Sequence, residues 1–220
     1  MCKGERRDED GSGAEHKCTF ESQNVRHDVD AHEKATVRLM FPSNRVLNTS
    51  AGSLGHSDRL SGLTLNERKF LTVDGTITSF VAELIGEPVV IDVVDQHDLP
   101  ADPEIANLLA ADAGALLTNR RVVAIGQRSR APVFCAVSRL RFELLPAEFI
   151  KRLQQTPAGL GAALEACGVL TKRELLCWGT DAVPSWAVRR GLAARALTRT
   201  YRFLTDDQPF ALVTEWFPAA

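Results

Sequence analysis

Residues 197–218 read LTRTYRFLTDDQPFALVTEWFP. Two runs rich in Thr, Tyr, Phe and Val flank the polar stretch Thr205-Asp206-Asp207-Gln208-Pro209, which is the pattern of a β-hairpin. One residue interrupts the apolar series of the second run: Glu215, in Val213-Thr214-Glu215-Trp216-Phe217. A lone acid on a strand ordinarily faces water. A carboxyl group buried among aromatic and β-branched neighbours instead has its charged form disfavoured, and it then carries a proton near neutral pH. The hairpin alone leaves both readings open.

Outward from the hairpin, helices and hairpin-linked strands segregate. A short helix over 185–190, opened by Ser185 and ended by Gly191, precedes it. Before that come a strand over 173–178, a helix over 160–167 closed by Gly168, and a helix over 146–153 with Pro146 in its first turn. Residues 116–125 and 133–142 read as strands joined by the loose hairpin 126–132. A short helix over 103–110 follows the β-branched strand 89–94. In the helix 77–85, Ile77, Phe80, Val81 and Leu84 fall on one face, with Gly86 as cap and Pro88 just beyond. Thr64-Leu65-Asn66-Glu67 is a capping box opening a short helix through Leu71. There is no βαβ alternation, so the expected fold class is α+β around an antiparallel sheet.

The 220 residues carry a net charge of −2. That length allows one domain with a real core plus a tail. The near-neutral balance offers nothing to nucleic acid or to an anionic membrane, and no apolar run is long enough to span a bilayer. Residues 1–57 are polar, with apolar positions scattered without period. They are read as a disordered or weakly ordered tail before a domain over 58–220, with a short ordered piece allowed around Val37-Arg38-Leu39-Met40-Phe41. The N-terminus lacks the apolar core of a signal peptide, so a cytoplasmic location is expected. Five cysteines without a CxxC spacing fit reduced thiols, and Cys135, Cys167 and Cys177 lie in apolar runs as core residues. His16, Cys18, His27 and His32 have no standard zinc-ligand spacing. No Gly-rich phosphate loop or metal motif is present, so no cofactor and no metal is expected.

Four separated segments resemble, in order, the chorismate lyase family. They are Asp74-Gly75-Thr76 before its amphipathic helix; Asn119-Arg120-Arg121-Val122-Val123 with the returning strand Val133-Phe134-Cys135-Ala136-Val137-Ser138; Thr156-Pro157 and Leu160-Gly161 with Leu170-Thr171-Lys172-Arg173-Glu174; and Thr214-Glu215 with Pro218. They span about residues 60–220, and the details resemble the divergent branch found in actinobacteria and archaea. The resemblance implies an enzyme that splits chorismate into 4-hydroxybenzoate and pyruvate, acts on this small molecule as a monomer, and uses the Glu of the terminal motif as catalytic acid. The same fold also occurs as the effector-binding domain of GntR-type regulators. A non-catalytic sensor of small aromatic acids is therefore the alternative, and the site has to decide.

That chemistry needs a cation for the ring carboxylate, a group that handles a proton, and a closed apolar cavity. The resemblance assigns catalysis to Glu215 and Arg120. Strand alternation turns only one of Arg120 and Arg121 inward; matching the residues that follow favours Arg120, with Arg121 kept as a substrate-binding candidate. Enterobacterial-type enzymes have Arg-Glu here. Leu160 would contribute a backbone amide at a helix start. Thr76, which stands where those enzymes have a ligand-contacting Met, would line the pocket. Arg173, Arg199 and Arg202 are further cations near the sheet.

Overall fold

The computed structural model describes residues 63–73, 76–155 and 158–217. The expected tail over 1–57, the piece around Val37, the histidine-rich stretch and the motif residues Asp74, Gly75, Thr156, Pro157 and Pro218 lie outside these residues. The elements are α1 (Leu65–Thr72), α2 (Ile77–Ile85), β1 (Val89–Pro100), α3 (Pro103–Leu108), β2 (Leu116–Gly126), β3 (Pro132–Leu140), a 3-10 turn (Phe142–Leu144), α4 (Ala147–Gln155), α5 (Leu160–Ala166), β4 (Lys172–Ala182), α6 (Ser185–Val188), β5 (Arg195–Thr205) and β6 (Gln208–Phe217).

The class is α+β, as expected, and the six strands form one antiparallel sheet in the order β1-β2-β3-β6-β5-β4. Each terminal signal has its local cause. Thr64 accepts from the Glu67 amide while Glu67 accepts from the Thr64 amide, closing the capping box of α1. Gly86 ends α2 in the left-handed region at φ 71°. Asp102 caps α3 through the Ile105 amide.

Two strands and the final turn differ from their sequence reading. β1 and β4 run well past 94 and 178, because their polar residues lie along sheet edges where water can reach them. The final turn is tighter than the five-residue polar stretch: only Asp206 and Asp207 form it, at φ 48° and 59°. That backbone matches the twist of the flanking strands and suits Asp.

The core lies in layers on both faces of the sheet. On one face α1 and α2 cover a cluster around Phe70, Val81, Ile91, Phe134 and Phe217. On the same face α4 and α5 cover a second cluster around Phe149, Leu153, Leu164, Tyr201, Phe203 and Phe210. The opposite face carries α3, on a cluster with Leu109, Leu117 and Leu212, and α6, on one with Trp186, Val123 and Cys135. Cys135 is fully buried, and burial pushes its thiol up to about 12, so it is an inert core residue.

Candidate functional site

Register decides which side chains share a face. Arg120 stands opposite Ser138, Ser138 opposite Val213, and Val213 opposite Tyr201. The next row on the same face is Val122, Ala136, Glu215 and Arg199. Opposite residues of antiparallel strands project to one side. The sheet therefore brings Arg120 of β2 and Glu215 of β6 to the face roofed by α1, α2, α4 and α5, although 95 positions separate them in the chain. There the two helix pairs leave a cavity of about 570 Å³ counting its open mouth. Its wall is mostly apolar, with Ile77, Ile91, Val122, Phe134, Ala136 and Val213, and it includes Arg120, Arg173, Tyr201 and Glu215. A second cleft shares Thr76, Gly161, Arg173 and Phe203 with it.

Glu215 is 3% exposed. The hydrophobic neighbours read from the hairpin are only half of its surroundings. The Nε of Arg199 donates to Oε2 at 2.6 Å, and the Tyr201 hydroxyl donates to Oε1 at 3.0 Å. Arg199 is 1% exposed, and its Nη1 donates to the Phe70 carbonyl of α1 at 2.5 Å. Burial works against the Arg199 charge, but the Glu215 carboxylate, with Tyr201, outweighs it and holds the guanidinium above its usual pKa. Burial and then Glu215 push the Tyr201 hydroxyl the same way, so it stays a proton donor to the carboxylate. Arg199 also stacks over the Tyr201 and Phe217 rings, at 4.9 and 5.5 Å.

Arg120 is equally buried but differently held. Nη1 donates to Gln96 Oε1 at 2.6 Å and to the Leu153 carbonyl at 2.9 Å, and Nη2 donates to the Ala158 carbonyl at 2.9 Å. All three acceptors are neutral. Burial pulls its pKa down to about 10, which still leaves it charged at neutral pH.

Thr76 and Leu160 also line the cavity. Thr76 is the residue before α2, and its hydroxyl lies 2.6 Å from that of Ser79. Leu160 opens α5. Arg121 does not belong with them. Strand alternation sends it to the opposite face, where its Nε lies 4.0 Å from Asp95 Oδ2, and it does not line this cavity. Of the three further cations, Arg202 is also on that face, bonded to Glu174 and the Leu108 carbonyl. Arg199 lies behind Glu215 rather than in the wall. Arg173 is in the wall, stacked over Tyr201 and Phe203 and donating to the Val73 carbonyl. Sequence reading missed Tyr201 and Gln96 altogether. Tyr201 had one signal, its position two residues from Arg199 on the strand that pairs with Glu215's. Gln96 had none, because it lies beyond the point where β1 was read to end.

Residues 71–220 match the family model described as Chorismate pyruvate-lyase Rv2949c-like. The chorismate pyruvate-lyase of Mycobacterium tuberculosis (strain ATCC 25618 / H37Rv) is 31% identical over 157 residues, which cover 68% of this chain and 78% of that one. The chorismate pyruvate-lyase of Mycobacterium leprae (strain TN) is 29% identical over 154 residues, covering 68% and 72%. Among solved structures, PhnF from Mycobacterium smegmatis is similar in fold, with a TM-score of 0.52 at 19% identity. That match covers 67% of this chain and 65% of the other, so the chain spans just under two thirds of that structure's length.

Proposed function

The chain belongs to the Rv2949c-like chorismate pyruvate-lyase family, and from that premise we propose that it is itself a chorismate lyase, releasing 4-hydroxybenzoate and pyruvate in the cavity between Arg120 and Glu215. The observation that carries this reading is the opposite wiring of the two side chains. Among the described residues the buried cation is bonded only to neutral acceptors, so its charge remains for a ring carboxylate. The buried acid is bonded to a cation and a phenol, so it enters the reaction as an oriented carboxylate. The resemblance gives the Leu160 amide a contact with the same ligand, and Thr76 a place in the wall.

In this reading the ring lies against Val122, Phe134 and Ala136, with its carboxylate on Arg120. Glu215 takes the hydrogen from the ring carbon that bears the hydroxyl. The electron pair of that C–H bond enters the ring, the neighbouring C–O bond breaks, and its pair leaves on the enolpyruvyl oxygen. The ring becomes aromatic, which drives the step. Glu215 then gives its proton to the methylene carbon of the enolate, and pyruvate is complete. Atoms and electrons balance without a co-reactant. The acid expected from the sequence is thus the second half of a shuttle whose first half is a base.

Purified protein mixed with chorismate, followed by absorbance and mass, is expected to accumulate 4-hydroxybenzoate and pyruvate in equal amounts. Binding of 4-hydroxybenzoate with no turnover would overturn the lyase reading in favour of a sensor on this fold.

A further inference from the structure

The charge on Arg120 is left uncommitted by a β-bulge. Val93 of β1 stands opposite Val122 of β2, and the register then shifts between Val93 and Asp95, so that Asp95 meets Arg121 and Gln96 meets Arg120. An uninterrupted ladder would set Val94 opposite Arg121 and Asp95 opposite Arg120. A carboxylate would then share the cavity face with the guanidinium and neutralise it from within the chain. The bulge sends Asp95 to the other face instead. There Oδ2 lies 4.0 Å from Arg121 Nε, and Oδ1 lies 2.9 Å from His97 Nδ1. Arg120 receives an amide oxygen at 2.6 Å in its place. Gln96 does not line the cavity; it grips the guanidinium from behind.

We propose that Gln96, delivered by this bulge, is a positioning residue that sets the specificity of the site. It fixes the Arg120 guanidinium without neutralising it, so the cavity selects ring compounds carrying a carboxylate. The inference rests on Arg120 as the carboxylate anchor. A neutral acceptor and a charged one differ little in shape here, but a glutamate would form the charge-assisted pair that the ligand is meant to form. The pKa of Arg120, lowered by burial with no anion opposing it, agrees with this arrangement.

The test is calorimetry on the full chain with two ligands, 4-hydroxybenzoate and its neutral amide analogue, 4-hydroxybenzamide. Gln96→Glu is expected to weaken acid binding by roughly 100-fold or more, since the introduced carboxylate then pairs with the Arg120 guanidinium and neutralises the charge the ligand needs. The affinity for the amide should change only a few-fold, and the melting temperature should not fall. Equal losses for acid and amide would make Gln96 a merely structural residue and overturn the proposal, as would unchanged acid binding. Asp95→Asn supplies a second arm independent of the first. Because the bulge turns Asp95 away, acid affinity is expected to be unchanged; tighter acid binding would show that Asp95 opposes Arg120 after all. A wild type that binds neither ligand overturns the functional reading together with this one. A wild type that binds the acid but does not split chorismate overturns the lyase reading alone, and the Gln96→Glu comparison then decides this one.

Discussion

Replacing Glu215 by Gln keeps the shape of the side chain and removes its proton chemistry, so kcat is expected to fall by roughly 10²–10⁴. The same change leaves Arg199 buried without its counter-charge. Breaking a buried pair from one side costs about 3–5 kcal/mol, so the melting temperature should drop as well, and turnover must be measured far below it. Near-normal turnover in a folded variant would remove Glu215 from the mechanism. Arg120→Ala is expected to weaken 4-hydroxybenzoate binding by about 2–5 kcal/mol. Lys should restore only part of this, because it lacks the planar fork. Arg121→Ala should change binding little, since its side chain lies on the other face beside Asp95. The pH dependence follows from the Arg120 pKa of about 10. Below that value the guanidinium holds its proton and acid affinity should be level through the neutral range; as pH rises through it the charge is lost and affinity falls. A calorimetric series across pH checks the sign. The pattern singled out Glu215 as a lone acid in an apolar run and set the two arginines on a strand's two faces, but only the resemblance to the chorismate lyase family gave these residues their roles.

Among the elements, α1 does more than cover the sheet. Phe70 stacks on Phe217 at 4.5 Å and meets Phe80 edge-on at 5.2 Å, while its carbonyl fixes the guanidinium that holds Glu215. Phe70→Ala should therefore cost about 3–5 kcal/mol in a thermal or denaturant melt, and lower kcat in the protein that remains folded. The start of α5 packs closely on the residue before α2. A Cβ at Gly161 would meet Thr76 Cγ2 at 3.2 Å, tight enough that Thr76 must give by a few tenths of an ångström. Gly161→Ala is expected to leave the fold intact and to reduce ligand affinity a few-fold by displacing Thr76 within the cavity wall. A Kd equal to that of wild type would show that this contact does not shape the cavity. The elements themselves were readable from caps, from helical spacing and from the β-branched runs. What defeated their boundaries was the edge position of β1 and β4, where polar residues persist in a strand because one side of the ladder is wet.

For the whole molecule, a chain starting at Arg59 is expected to fold and keep its activity, because the residues before it show no core-forming period. One starting after α1 is expected to lose both, since Phe70 and Leu71 leave the core with it. Circular dichroism and turnover on the two truncations decide this, and loss of folding in the first would place part of the upstream segment in the domain. The sequence by itself determined the α+β class, the antiparallel hairpins and the alternation of neighbouring residues between a strand's two faces, because alternation along a strand and caps at helix ends are local properties. It did not determine who stands beside whom. Counted from its two-residue turn, a plain β5–β6 hairpin pairs Thr205 with Gln208 and would bring Arg199 opposite Thr214, on the face away from Glu215. A shift between Phe203 and Leu204 brings Arg199 opposite Glu215 instead. The shift in β1 likewise exchanges Asp95 for Gln96 beside Arg120. Each bulge adds one residue to one strand and so reverses the faces of everything after it relative to its partner. No local signal marks where that residue is added, because it is fixed by how both faces of the sheet pack. The chain, through its resemblance, therefore offers Arg120 and Glu215 as candidates, and only the tertiary structure gives Arg120 neutral acceptors and Glu215 its cation and phenol.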